Sequence, residues 1–207
     1  MPLFNKFNPR LSDLHLWEIT ESEEGLVSSL NLSASSNSRL NKLKSIIQRK
    51  QFLGIQNLLK LLNFETDDLL YDSYGKPKLL NGQCISISHS FDYCGIAVSE
   101  FKIGMDIEKL RPKILNISKK FVSNSELKLI KEYSVRNITK VWTIKEAVFK
   151  AFGYPGIDFK KNIIIETLNK EFDKVRVKVF KNEIIEHYNI EIIDFSQYIC
   201  SVAKLEK

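Results

Sequence analysis

Apolar residues recur at helical spacing from Leu40 to Asn63. Leu43, Ile46, Ile47, Leu53, Leu58, Leu61 and Leu62 predict one long helix there, loosened at Gly54. Before it, DLHLWEI (Asp13 to Ile19) alternates and predicts a strand, and the Ser-rich run Asn31 to Arg39 predicts a loop or a helix start. DSYGKPKL (Asp72 to Leu79) is a turn cluster. Alternation over Gln83 to Ser90 and over Tyr93 to Glu100 predicts two strands with a tight connection at Ser90–Asp92, and FKIGMDIE predicts a third. Ser123, with Glu126 three residues later, predicts a capped helix running to Tyr133. From Asn137 to Gly153, Val141, Ile144, Val148 and Phe152 share one side of a helix that Gly153 ends. NIIIET, KVRVKVF, NIEII and QYICSVA then predict strands. Helices mixed with antiparallel strands in both parts of the chain give an α+β class. Element content puts a boundary near residue 100, dividing the chain into 1–100 and 101–207, and no sequence repeat relates the halves.

GMDIE, Gly104 to Glu108, poses a question. On a strand, Ile103, Met105 and Ile107 face one way, and Gly104, Asp106 and Glu108 the other. The plain reading of two acids on one face is a wet sheet surface. The sharper reading is a divalent cation. Four residues separate Glu146 from Lys150, so they share a helix face. Their plain reading is a surface ion pair, and that of Lys145 a solvated side chain.

Composition narrows the class. The 207 residues are 43% hydrophobic and 27% charged, as in an ordinary core-forming protein. A formal charge of +6 suits an anionic partner without choosing among nucleic acid, acidic protein and phosphorylated small molecule. Cys84, Cys94 and Cys200 are odd in number and form no CxxC pair, which predicts reduced, buried thiols and a reducing compartment. The N-terminal stretch lacks an apolar core of a leader, and no run reaches the about 20 apolar residues of a membrane helix. A soluble, cytoplasmic protein with no membrane partner is expected. GxxxxGK[ST] is missing, which argues against a P-loop nucleotidase.

Four short motifs follow one another: Gly75-Lys76-Pro77; Ser88-His89-Ser90 at the end of a predicted strand; Gly104-x-Asp106-x-Glu108; and Trp142-x-x-Lys145-Glu146-Ala147-x-x-Lys150-x-x-Gly153. In this order they resemble the 4′-phosphopantetheinyl transferase superfamily, in its longer surfactin-type branch. The resemblance runs from about Lys76 to Gly153. Two positions depart from the usual pattern. Ser86-Ile87-Ser88 stands where an Asn often precedes the SHS motif, and Lys78 follows Pro77 where an aromatic or aliphatic residue is common.

The resemblance implies two similar α+β halves in a pseudo-two-fold arrangement, with the active site in the cleft between them, in a monomer. It implies Mg²⁺ held by Asp106, Glu108 and Glu146, a ligand set that suits a hard cation wanting oxygen donors. It implies coenzyme A as substrate and an acidic apo acyl or peptidyl carrier protein as acceptor. The carrier's serine would attack the β-phosphate, and 3′,5′-ADP would leave. Lys150 is then the cation at the phosphates, and Glu146 a base acting directly or through water. Lys76, Pro77, Ser88, His89 and Ser90 are implied coenzyme contacts. Arg49 or Lys50 is the implied contact to its 3′-phosphate, with Lys42 and Lys44 weaker candidates. Trp142, Phe149 and Phe152 are read as packing residues. The alternative is a non-catalytic basic module for an acidic protein or nucleic acid, although no nucleic-acid motif or aromatic-basic stripe is present and no nucleic-acid partner is expected.

Overall fold

The structure, a computed structural model, describes residues 14–169, 171–172 and 174–207. The expected strand from Asp13 therefore begins outside the described residues. The chain divides into two compact units, the first ending at Glu100 and the second spanning Phe101–Lys207.

In the first unit, strand β1 (Leu14–Glu18) precedes three helices, α1 (Glu23–Ser28), α2 (Ala34–Lys42) and α3 (Ile46–Leu61). Short strands β2 (Leu69–Tyr71) and β3 (Pro77–Leu79) form one hairpin, and β4 (Cys84–Ser90) and β5 (Tyr93–Ser99) another. The main sheet is antiparallel in the order β1-β5-β4. α1 and α2 start at Ser22 and Ser33, whose hydroxyls accept from Gly25 N and Ser36 N, so the Ser-rich run is a helix start rather than a loop.

The single long helix expected over Leu40–Asn63 is two helices. Leu43 leaves the helical region at ψ 121°, and Ser45 is the N-cap of α3. The expected stripe divides accordingly. Leu53 and Leu58 are buried with Ile55 and Leu59, whereas Ile46, Ile47 and Leu61 are exposed. Gly54 does not loosen α3. A Cβ there would lie 2.6 Å from the Cys94 sulfur on β5, so glycine permits close contact of helix and strand.

In the second unit, β6 (Ile103–Lys109) leads to a short helix α4 (Ile114–Ile117), a 3-10 turn (Ser118–Lys120), α5 (Asn124–Leu129) and the long α6 (Val135–Phe152). β7 (Ile163–Leu168), β8 (Val175–Lys181), β9 (Ile184–Phe195) and β10 (Tyr198–Leu205) complete an antiparallel sheet in the order β6-β10-β9-β8-β7. β9 is longer than NIEII because its first residues pair with the end of β8 beyond the turn at Asn182, whose φ is 53°. The capping box at Ser123 and Glu126 is present, but α5 stops at Leu129. Gly153 ends α6 in the left-handed region, at φ 76°. Ile138, Val141, Ile144, Val148 and Phe152 of α6 pack against Val177, Val179 and Tyr188 of the sheet. All three cysteines are free, with Cys94 and Cys200 buried. Among the described residues no helix is long and apolar enough to cross a membrane.

Candidate active site

The second unit brings four of the expected residues together through one glycine. A Cβ on Gly104 would lie 2.0 Å from the Ala147 carbonyl and 2.6 Å from the Ala151 nitrogen. No larger residue fits, so the β6 backbone lies directly against α6. Two residues on, Asp106 points from the same face of β6. Glu146 and Lys150 flank Ala147 and Ala151 on the helix. Lys150 Nζ donates to Asp106 Oδ1 at 2.8 Å. This ion pair joins helix to strand, and Lys150 also acts electrostatically on Glu146, its neighbour on the helix face. Glu108, at the wetter end of β6, lies 3.5 Å from Arg111.

Charge crowds Glu146. Burial, then the neighbouring Asp106 carboxylate, push its carboxyl up to about 7; Lys150 pulls it down, and Glu108 adds to the rise. Two carboxylates thus act on Glu146 against the Lys150 ammonium. Among the described residues no three acidic, histidine or cysteine side chains converge closely enough to hold an ion. The donor set nonetheless fits a hard divalent cation. Every donor is a carboxylate oxygen, and a cation would relieve the repulsion that raises Glu146.

Two hollows open beside these acids. One, of about 380 Å³, is lined by Glu108, Lys109, Arg111, Lys113, Thr139 and Trp142, among others. The other, of about 390 Å³, is lined by Ile117, Lys120, Phe121, Trp142, Glu146 and Phe159. Trp142, expected in the core, is partly buried and walls both. Its ring meets Phe121 edge-on at 4.9 Å and Phe159 at 5.6 Å. Phe149 packs on Phe159 at 5.3 Å, and Phe152 is buried. Lys145, read as a solvated lysine, is wholly buried against Glu126. Burial pushes its ammonium below the usual lysine value and Glu126 pulls it back.

The remaining expected residues belong to the first unit. Lys76 and Pro77 sit at the β2–β3 turn, which Asp72 organises by accepting from Tyr74 N at 2.9 Å and Lys76 N at 3.0 Å. Ser88 and Ser90 are buried at the end of β4, and His89 between them is exposed. Arg49 and Lys50 are both partly buried on α3. Arg49 Nε donates to both carboxylate oxygens of Glu23, at 2.8 and 3.0 Å, and Arg49 Nη1 to the Leu40 carbonyl at 2.8 Å. Its guanidinium holds α1, α2 and α3 together. Sequence reasoning missed this role because Glu23 lies 26 residues away, in a helix the pattern did not disclose.

A family model described as the 4′-phosphopantetheinyl transferase superfamily matches residues 102–203. The 4′-phosphopantetheinyl transferase gsp of Aneurinibacillus migulanus is 28% identical over 143 residues, 63% of this chain and 60% of that protein. The 4′-phosphopantetheinyl transferase of Bacillus subtilis is 33% identical over 86 residues, 39% of this chain and 38% of that protein. The chain thus spans less than two thirds of the length of these two relatives. The holo-[acyl-carrier-protein] synthase of Blochmanniella floridana is 30% identical over 125 residues, 51% of this chain and 98% of that protein.

Proposed function

Because the chain belongs to the 4′-phosphopantetheinyl transferase superfamily, we propose that it transfers the 4′-phosphopantetheine arm of coenzyme A to a serine of an apo acyl or peptidyl carrier protein. The serine oxygen forms the new bond to the β-phosphorus, its proton passes to a base, and 3′,5′-ADP leaves. The observation that carries this reading is the joining of Asp106, Glu146 and Lys150 across the Gly104 contact, with Glu108 on the same strand face.

Asp106, Glu108 and Glu146 would hold Mg²⁺. When bound, such an ion neutralises charge on the pyrophosphate oxygens. The chain's own groups do the rest. Lys150 offers fixed positive charge to the phosphates, strengthened by its partly buried position. Glu146 accepts the serine proton, directly or through water. In the first unit, Lys76, Pro77, Ser88, His89 and Ser90 serve as coenzyme contacts, with His89 exposed at the end of β4. Lys50 suits the 3′-phosphate better than Arg49, whose guanidinium is engaged by Glu23. The +6 charge favours encounter with an acidic carrier. The protein acts on this reading as a cytoplasmic monomer.

The test is intact mass spectrometry of apo carriers from fatty acid, polyketide and nonribosomal peptide systems, incubated with the protein, coenzyme A and Mg²⁺. Gain of one phosphopantetheine on at least one carrier, lost in EDTA, is the expected result. No gain on any member of the panel would overturn the proposal.

A further inference from the structure

Lys145 occupies α6 one residue before Glu146. It lies four residues after Val141 and three before Val148, so the helix turns it into the core. Its side chain is 0% exposed, a costly place for an ammonium unless every donor is met. Each is met. Lys145 Nζ lies 2.8 Å from Glu126 Oε1 and donates to the carbonyls of Phe159 and Ile163, each at 2.8 Å. Glu126, 1% exposed, also accepts from Ser123 N at 2.8 Å and Ile165 N at 3.1 Å. One buried cation thus ties α5, α6, the start of β7 and the connection that carries Phe159.

Phe159 gives the tie a consequence beyond stability. Its carbonyl accepts from Lys145, while its ring packs on Trp142 and Phe149 and walls the hollow that contains Glu146. A buried ion pair is weak support for stability, since apolar replacements often serve as well. What an apolar side chain cannot supply is the hydrogen bond that holds the Phe159 backbone.

We propose that Lys145 is a positioning residue, which through the Phe159 carbonyl fixes the aromatic wall beside Glu146 and so sets how tightly the substrate group entering that hollow is held. The kinetic part of this proposal rests on the transferase reading; the structural part does not.

The experiment uses the full chain with Trp17→Phe, which removes the other tryptophan, so that Trp142 reports alone. Lys145→Met, Phe159→Ala and their combination are compared by acrylamide quenching and by KM and kcat, after cooperative melting shows each is folded. Either single change should raise the quenching of Trp142 severalfold. Each should raise KM about tenfold, a change of about 1.4 kcal/mol in binding, and leave kcat nearly unchanged. The double variant should be no worse than the worse single one, because both changes release the same wall. Wild-type quenching and KM in folded Lys145→Met, or additive effects, would overturn the proposal. If Lys145→Met does not fold, Phe159→Ala decides alone, and wild-type behaviour there overturns it. Increased quenching in a protein that modifies no carrier would sink the transferase reading and leave the positioning role standing.

Discussion

Lys150 Nζ sits 2.8 Å from Asp106 Oδ1, an ammonium from the last turn of α6 against a carboxylate that is 8% exposed in mid-β6. A group so little hydrated needs a cation close by. Lys150 therefore serves as the internal counter-charge of the acid cluster as well as the proposed phosphate contact. Lys150→Met should lower stability by about 1–2 kcal/mol, the cost of removing one partner of a partly exposed pair. Added Mg²⁺ should recover most of that loss. Urea melts with and without the ion check both outcomes.

At Gly104 the strand lies against the helix with no room for a Cβ. A methyl group placed 2.0 Å from the Ala147 carbonyl must push β6 from α6. Gly104→Ala should cost at least about 3 kcal/mol, at the upper end for overpacking. Any folded fraction should have lost transferase activity, because Asp106 and Glu108 move with the strand. Thermal melts and the carrier assay together measure this.

Glu146 contributes a distinct part of the pH dependence of the metal-free protein. Its carboxyl has an ordinary value of 4.5 and is pushed up to about 7, first by burial and then by Asp106. Between these values the unfolded chain has lost the proton and the folded chain keeps it. The contribution of Glu146 is therefore present in full below about 4.5, falls as pH rises to about 7, and levels off above that, by about 1–3 kcal/mol after allowance for partial exposure, while Glu23, Asp67, Asp72 and Glu206, held below the usual carboxylate value, act in the opposite sense at acid pH. Glu146→Gln should flatten this slope in urea melts run in EDTA. An unchanged slope would remove Glu146 as its source.

Arg49 and Lys50 should separate cleanly. Arg49→Ala breaks the fork to Glu23 and the bond to the Leu40 carbonyl, so it should lower Tm and leave the KM for coenzyme A nearly unchanged. Lys50→Ala should raise that KM by about tenfold, as expected for loss of one charge-assisted phosphate contact, with Tm unaffected. The reverse pattern would return the 3′-phosphate contact to Arg49.

What the sequence discloses follows the range of each physical cause. GMDIE is legible because strand alternation is local, as is the capping box at Ser123. The Val141–Phe152 stripe is legible because every member faces one sheet. The break at Leu43–Ser45 is not, because the apolar spacing continues through it while the backbone turns out. Lys145 is hidden for another reason. Among several lysines on one helix, only the distant Glu126 and the carbonyls of Phe159 and Ile163 mark it as buried. Gly104 and Gly54 look like helix or strand weakeners until the partner backbone or sulfur against them is known. Trp142 has the pattern of a core residue, and its place on two hollows, which Ile117 of α4 also lines, is set by elements distant from it in sequence.

The central claim is that Asp106, Glu108 and Glu146 hold a divalent cation together. Isothermal titration of Mg²⁺ into the protein saturated with coenzyme A tests it most directly. One saturable site in the wild type, absent in Asp106→Asn and in Glu146→Gln while circular dichroism stays unchanged, is the predicted result. Wild-type affinity in either folded variant would contradict it.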